Sequence, residues 1–241
     1  MRPLILRPEP QASSFARLLR SAGHQPVVTP LLAIIEGREL TSLPQWLEWA
    51  DIVVAVSAAA VEQGSAYLTA HGTCWPAKPC LAVGSATAAS WQEQGVSAHY
   101  PQDARSEGLL SLPELAAVAG KKVLILRGDG GRAYLGEQLE ARGAMIRYGE
   151  CYRRHWLELD GNQLFTQWHT ARVDSVMLTS GELLNRLLTI MPNHALPWLQ
   201  QLTWIVPSTR VADLVQAAGL PPARVALDAT PAAMLAALET C

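Results

Sequence analysis

The sequence predicts an α/β protein built from two parallel sheets flanked by helices, and three observations carry that reading. Short apolar runs alternate with helix-period segments along the chain, the pattern of β–α–β units. The chain also repeats itself: Leu4-Ile5-Leu6-Arg7 returns as Leu124-Ile125-Leu126-Arg127, and Gly23 returns as Gly143, both at an offset of 120. Finally, 241 residues, 49% hydrophobic and 17% charged, suffice for one large α/β domain or two small ones with real cores.

In the first copy, Leu4-Ile5-Leu6 reads as a strand. Phe15, Leu18, Leu19 and Ala22 then fall at i, i+3, i+4 and i+7, one apolar stripe of a helix that Gly23 closes before a second strand. The second copy runs the same way to Gly143. Another pair of segments repeats as well: Ile52-Val53-Val54-Ala55-Val56-Ser57 resembles Val176-Met177-Leu178-Thr179-Ser180, each an apolar strand ending in Ser before a helix. Leu81-Ala82-Val83-Gly84-Ser85-Ala86-Thr87 likewise resembles Trp204-Ile205-Val206-Pro207-Ser208-Thr209, entering helices over 86–94 and 208–218 that Gly95 and Gly219 close. Thr230 as cap and Pro231 at the first helical position open a last helix with Met234, Leu235 and Leu238 on one face. The order is A (2–33), B (51–100), A′ (121–153) and B′ (174–238), about five strands to each half. Strand count alone lets A pair with either B or B′; the tracts 30–36 and 149–156 decide it if they are interdomain crossovers.

Composition narrows the function. The longest strongly apolar stretch, Ile52 to Val61, is half the length of about twenty residues that a spanning helix needs, so no membrane role is expected. Met1 to Pro8 is too short in apolar residues for a signal peptide and reads as a first strand of a cytoplasmic protein. Cys74, Cys80, Cys151 and Cys241 fit neither a metal pair nor a disulfide framework, and reduced, mostly packed thiols are expected. The histidines show no ligand spacing, and no metal is expected. A net charge of −2 gives no general attraction to nucleic acid. Lys78, Lys121 and Lys122 are the only lysines; arginine, whose planar fork suits carboxylates, supplies the rest of the basic residues.

In open parallel sheets, ligands bind beyond the carboxyl ends of the strands, where helix N-termini offer unpaired N–H groups. Ser57, Thr87, Ser180, Ser208 and Thr209 all fall at such places. Singly each is explained as a helix cap, but recurrence in both halves points to a shared cleft. Gly128-Asp129-Gly130-Gly131-Arg132-Ala133, with Glu150 downstream, matches a dinucleotide fingerprint, whereas the equivalent turn Arg7-Pro8-Glu9-Pro10 has no glycine. No Ser-His-Asp set, paired carboxylates or HExxH motif is present. Tyr152 lies on the second crossover tract, where its phenol would face the cleft. A phenol donates a proton or hydrogen bond at neutral pH rather than acting as a base.

Taken in order, several segments resemble uroporphyrinogen-III synthase over nearly the whole chain. They are Leu6-Arg7-Pro8, Val56-Ser57, Val83-Gly84-Ser85-Ala86-Thr87-Ala88, Tyr100-Pro101-Gln102-Asp103 with Glu107-Gly108-Leu109-Leu110, Leu126-Arg127-Gly128-Asp129-Gly130-Gly131-Arg132, Arg142-Gly143-Ala144, Cys151-Tyr152-Arg153, Thr179-Ser180-Gly181-Glu182 and Pro207-Ser208-Thr209-Arg210. The ordered set looks most like the bacterial branch. The resemblance implies two flavodoxin-like domains, 1–33 plus 157–241 and 37–149, joined by a two-stranded ladder of 34–36 and 150–156, so that A joins B′ and B joins A′.

It implies, too, a cofactor-free lyase that removes water from hydroxymethylbilane, a linear tetrapyrrole, and closes the ring with inversion of ring D, giving uroporphyrinogen III for haem and sirohaem synthesis. Tyr152 carries over as the group that protonates the leaving hydroxyl. Ser57, Gly84, Ser85, Thr87, Ser180, Ser208 and Thr209 carry over as substrate-binding groups, with Arg7, Arg127 and Arg132 as helpers for its carboxylates. The implied enzyme is a monomer with no nucleic-acid or membrane partner, receiving its unstable substrate from hydroxymethylbilane synthase. Two other classes are consistent with the residues: a non-catalytic two-domain carboxylate-binding protein, and a dinucleotide enzyme using the Gly128–Ala133 turn.

Overall fold

The computed structural model describes residues 1–240 and divides into two compact units, Met1–Ala33 with the chain from His155 onward, and Ile34–Arg154. In chain order the elements are β1 (Pro3–Ile5), α1 (Gln11–Ser21), β2 (Val27–Val28), β3 (Leu32–Glu36), α2 (Leu43–Trp49), β4 (Ile52–Ala55), α3 (Ala58–Ala70), β5 (Cys80–Ala82), α4 (Ser85–Glu93) and β6 (Ala98–His99). They continue with α5 (Ser106–Leu109), β7 (Lys122–Gly128), α6 (Tyr134–Ala141), β8 (Met145–Trp156), α7 (Gly161–Thr170) and β9 (Ser175–Met177). The last are α8 (Gly181–Ile190), α9 (Leu196–Leu199), β10 (Thr203–Val206), α10 (Thr209–Ala217), β11 (Arg224–Val225) and α11 (Pro231–Glu239).

One sheet has the order β11-β10-β9-β1-β2, and its neighbouring strands run parallel. The other has the order β3-β8-β7-β4-β5-β6, with β8 through β6 parallel. The repeat explains the match between them. If β7 and β8 are read as the counterparts of β1 and β2, and β4, β5 and β6 as those of β9, β10 and β11, the two sheets share one strand order. Segment A thus pairs with B′, and A′ with B, which strand count alone left open. β3 and β8 are neighbours; at the ends of this pair the Gly37 N–H donates to the Cys151 carbonyl at 3.1 Å and the Leu157 N–H to that of Leu31 at 3.0 Å.

Parallel strands covered on both faces are apolar throughout rather than alternating, and β4, β5 and β9 are buried at every residue. In the Ile34–Arg154 unit one face of the sheet packs Leu124, Leu126 and Cys151 against α2, α3 and α4 through Leu47, Val61 and Trp91. The other packs Val123 and Ile125 against α5 and α6 through Leu109, Leu135 and Leu139. In the first unit Ile5, Met177 and Ile205 pack against α1 and α11 through Phe15, Leu19, Met234 and Leu238.

The helix stripe of the first repeat differs from the expected one. Its buried residues are Ala12, Phe15, Ala16 and Leu19, while Leu18 is half-buried and Ala22 exposed. The helix begins at Gln11, so the stripe starts a turn earlier. It ends at Ser21, because Gly23 takes φ +84°, a left-handed value that its repeat partner Gly143 shares.

The thiols follow their burial. Cys74 is exposed, whereas Cys80 and Cys151 are buried, and all three are free; Cys241 lies outside the described residues. Burial pushes the Cys80 thiol up to about 11 and, with Glu39 adding to the effect, that of Cys151 up to about 12. Since the thiolate is the nucleophile, iodoacetamide at pH 8 is expected to label Cys74 in the folded protein and to reach Cys80 and Cys151 only after unfolding. Mass spectrometry of the labelled peptides checks this; equal labelling would contradict the packing.

Candidate active site

In a sheet of this strand order, the crevice for a ligand opens at the carboxyl ends where the order reverses. That point lies between β7 and β4 in the Ile34–Arg154 unit and between β1 and β9 in the other. Several predicted residues sit at these ends. Ser57 follows β4 and caps α3, its Oγ accepting the Ala60 N–H at 3.3 Å. Ser180 follows β9 and caps α8 in the same way, accepting from the Leu183 N–H at 3.3 Å. The identical geometry follows from the repeat, and it commits one lone pair of each hydroxyl to the helix.

The second pair of helix entrances is different. Gly84 holds the cap position of α4 and Ser208 that of α10, neither with a side-chain capping bond. The first-turn N–H groups of both helices are therefore left without a side-chain acceptor at their cap. A Cβ at Gly84 would lie 2.8 Å from that of Ala104, so this entrance tolerates no side chain without a shift. Ser85 and Thr209 are exposed at the first helical positions. Thr87 departs from expectation: it is the third residue of α4 and only 4% exposed. It is neither a cap nor a surface group.

Tyr152 owes its position to a break in strand register. On β8, Ile146 and Tyr148 face α5 and α6, while a Cβ at Gly149 would touch Leu126 and Trp46 on the opposite face. Strict alternation would send Cys151 to that opposite face and Tyr152 back to the side of Tyr148. Instead Arg127 pairs with Glu150 and the next residue, Gly128, pairs with Tyr152, so Cys151 is an extra residue in the ladder. This β-bulge re-aims the strand. Cys151 and Tyr152 consequently both pack with the α2–α4 face, Tyr152 half-buried. Its ring lies over Gly128, where a Cβ would come 2.6 Å from Cζ and 3.0 Å from the hydroxyl oxygen. Tyr152 thus shares a sheet face with α3 and α4, the helices that begin after Ser57 and Gly84.

Arg127 is on the other face, its guanidinium 4.0 Å from the centre of the Tyr148 ring. Its repeat partner Arg7 lies 4.9 Å from the Phe15 ring centre and donates to the Ala229 carbonyl at 3.4 Å; burial lowers its pKa from the usual arginine value. The Gly128–Ala133 turn does connect a strand to a helix. Two features are unlike a dinucleotide site. The Tyr152 ring occupies the space above the first glycine, and the Glu150 carboxylate accepts the Arg38 N–H at 3.2 Å. Arg105 and Tyr148, which flank Arg127 in a hollow beside this turn, belong to no motif; strand register alone places Tyr148 opposite Ile125 of β7. Among the described residues no helix is long and apolar enough to cross a membrane, and no group of three or more His, Cys, Asp or Glu could hold a metal ion.

Comparison with known proteins places this arrangement among relatives. A family model described as uroporphyrinogen-III synthase HemD matches residues 13–236. The chain is 40% identical over 243 residues to uroporphyrinogen-III synthase of Salmonella typhimurium, covering 98% of this chain and 99% of that protein. It is 36% identical over 243 residues to the Escherichia coli enzyme, with the same coverage of 98% and 99%. Among solved structures, uroporphyrinogen-III synthetase from Helicobacter pylori superposes with a TM-score of 0.61 at 16% identity, covering 98% of this chain and 97% of that one. A mutant uroporphyrinogen III synthase from Thermus thermophilus gives a TM-score of 0.56 at 18% identity, with 92% and 91% covered. At those identities the structural likeness speaks for the fold.

Proposed function

The chain belongs to the uroporphyrinogen-III synthase family, whose reaction is a cyclising lyase step of tetrapyrrole synthesis, and from that premise we propose how its residues carry the reaction. The observation that bears most weight is the likeness to two enzymes of that name along almost the entire chain. The substrate is hydroxymethylbilane and the product uroporphyrinogen III. Tyr152 donates its phenolic proton as the terminal C–O bond breaks, so that the hydroxyl leaves as water. The electron-rich pyrrole pushes that group out and becomes an azafulvene-like cation, so a weak acid suffices. The substituted carbon of ring D then attacks, and a spiro intermediate rearranges to the inverted ring. In free solution the unrearranged type I ring would form; the protein's work is orientation and exclusion of that closure.

The site reading rests on the ends of the parallel strands. Helix entrances at Ser57 and Gly84-Ser85 in one unit, and at Ser180 and Ser208-Thr209 in the other, are proposed to offer hydroxyl and N–H groups for the carboxylate arms, with Arg127 and Arg7 as the respective helpers. Each unit is proposed to be flavodoxin-like, with domain limits at 1–33 plus 157–241 and 37–149 and a ladder of 34–36 and 150–156. The strand order 2-1-3-4-5, counted from β1 in one sheet and from β7 in the other, supports that reading. The enzyme is proposed to be a cytoplasmic monomer without cofactor that takes its unstable substrate from the preceding synthase.

Freshly generated hydroxymethylbilane, incubated with and without the protein, oxidised and separated by isomer, tests the reaction. Predominantly type III product is expected; type I alone at the spontaneous rate from folded protein would refute it. Thr87 calls for a finer comparison because it is buried. Thr87→Val, which keeps the volume and removes the hydroxyl, is expected to raise the type I share severalfold if the hydroxyl steers closure, since losing a buried polar partner costs about 1–3 kcal/mol. An unchanged isomer ratio would reduce Thr87 to packing.

A further inference from the structure

Beside the Gly128–Ala133 turn, on the α5–α6 face of the Ile34–Arg154 unit, lies a hollow of about 220 Å³ whose lining has two distinct parts. Its floor is apolar, made by Val56 and Val83 just past β4 and β5, Ile125 in the middle of β7 and Leu135 at the start of α6. Its wall carries three arginines, Arg105, Arg127 and Arg132. The three are not equivalent. Arg105 grips Asp103 with two hydrogen bonds, Nε to Oδ1 at 2.7 Å and Nη2 to Oδ2 at 2.8 Å. Arg132 reaches Glu107 at 3.4 Å. Arg127 has no carboxylate partner among the described residues; it is half-buried and held by the face of the Tyr148 ring 4.0 Å away. A guanidinium that meets its neighbour only through a ring face keeps its N–H donors for other acceptors, and a carboxylate can meet two of them at once.

We infer that this hollow is a subsite for one alkyl carboxylate arm of the substrate, with its methylenes on the apolar floor and its carboxylate on Arg127. The inference rests on the proposed reaction for the identity of the ligand. Size supports an arm rather than a whole molecule, because pockets for complete small-molecule ligands run from about 300 to 1,000 Å³. Location supports it too, since Val56 directly follows β4 and Arg127 is the next-to-last residue of β7, the two strands between which the sheet order reverses. Asp103 and Glu107 neutralise the outer arginines, so the site presents one uncompensated positive charge, enough for a single carboxylate. The sheet separates this subsite from Tyr152, making it a place for binding and not for proton transfer.

The test separates the subsite from the reaction. In protein labelled with ¹⁵N-arginine, propionate is expected to shift the Arg127 Nε–H signal saturably, that signal being assigned by its loss in Arg127→Lys. Acetate, lacking one methylene, is expected to shift it more weakly, and inorganic phosphate least. Asp103→Asn, an exposed change that releases Arg105, should tighten propionate binding severalfold. With hydroxymethylbilane, Arg127→Gln should raise KM on the order of tenfold, the effect of losing a hydrogen bond to a charged group. Absence of any arginine shift with propionate, phosphate binding as well as propionate, or an unchanged KM in Arg127→Gln would overturn the subsite. A protein that forms no type III product yet shows the propionate shift would instead overturn the reaction and leave the carboxylate site standing.

Discussion

Tyr152→Phe is expected to lower turnover of hydroxymethylbilane about a hundredfold while leaving the thermal unfolding midpoint close to that of the unaltered protein. General acid catalysis contributes roughly 10²–10⁴-fold, and the push from the pyrrole nitrogen puts this reaction at the lower end. The substitution removes one oxygen atom and keeps the ring that packs over Gly128 and against the α2–α4 face. Any loss of rate therefore reports on the hydroxyl. Turnover is measured from the rate of type III formation under saturating substrate. A variant as fast as wild type would strip Tyr152 of its proton-donating role and leave orientation alone to account for the chemistry.

Gly128→Ala is expected to approach the same loss by a different route. The added methyl would stand 2.6 Å from a carbon of the Tyr152 ring, and the strand pairing of Gly128 with Tyr152 leaves the backbone little freedom to yield. The ring must swing away, carrying its hydroxyl off target, and the overpacked contact should cost about 1–3 kcal/mol of stability. Because the ring must move as a whole, the two changes act through one group. Their combination should therefore be no slower than Tyr152→Phe alone, a non-additivity that a double-mutant cycle in kcat detects. If Gly128→Ala turns over at the wild-type rate, the bulge does not position the phenol.

These two residues illustrate what sequence patterns can and cannot carry. Gly128 is conspicuous as the first glycine of a turn between strand and helix, yet the pattern suggests a phosphate approaching that glycine, whereas an aromatic ring from the neighbouring strand lies there. Tyr152 stands out by its place on a crossover tract. Its sheet face, however, depends on one extra residue in β8, and period-2 alternation predicts the wrong side. Thr87 reads like Ser57 in the sequence, both near a strand end before a helix. In the structure the cap falls on Ser57 in one case and on Gly84 in the other, three residues before Thr87.

The sequence by itself determined the alternation of strands and helices, the repeat, the glycine-closed helix ends and the Ser57 and Ser180 caps. These are local properties, fixed by residue periodicity and backbone preference within a few positions. Tertiary structure decided the rest. Which half of the repeat pairs with which depends on strands more than 100 residues apart, such as β1 beside β9. The bulge at Cys151 exists only in the pairing of β8 with β7. Arg127 becomes the one arginine of its hollow without a carboxylate partner, among the described residues, because Asp103 and Glu107 fold onto Arg105 and Arg132 instead. Each of these outcomes is set by which groups from distant segments compete for the same space or the same charge, and no local pattern records that competition.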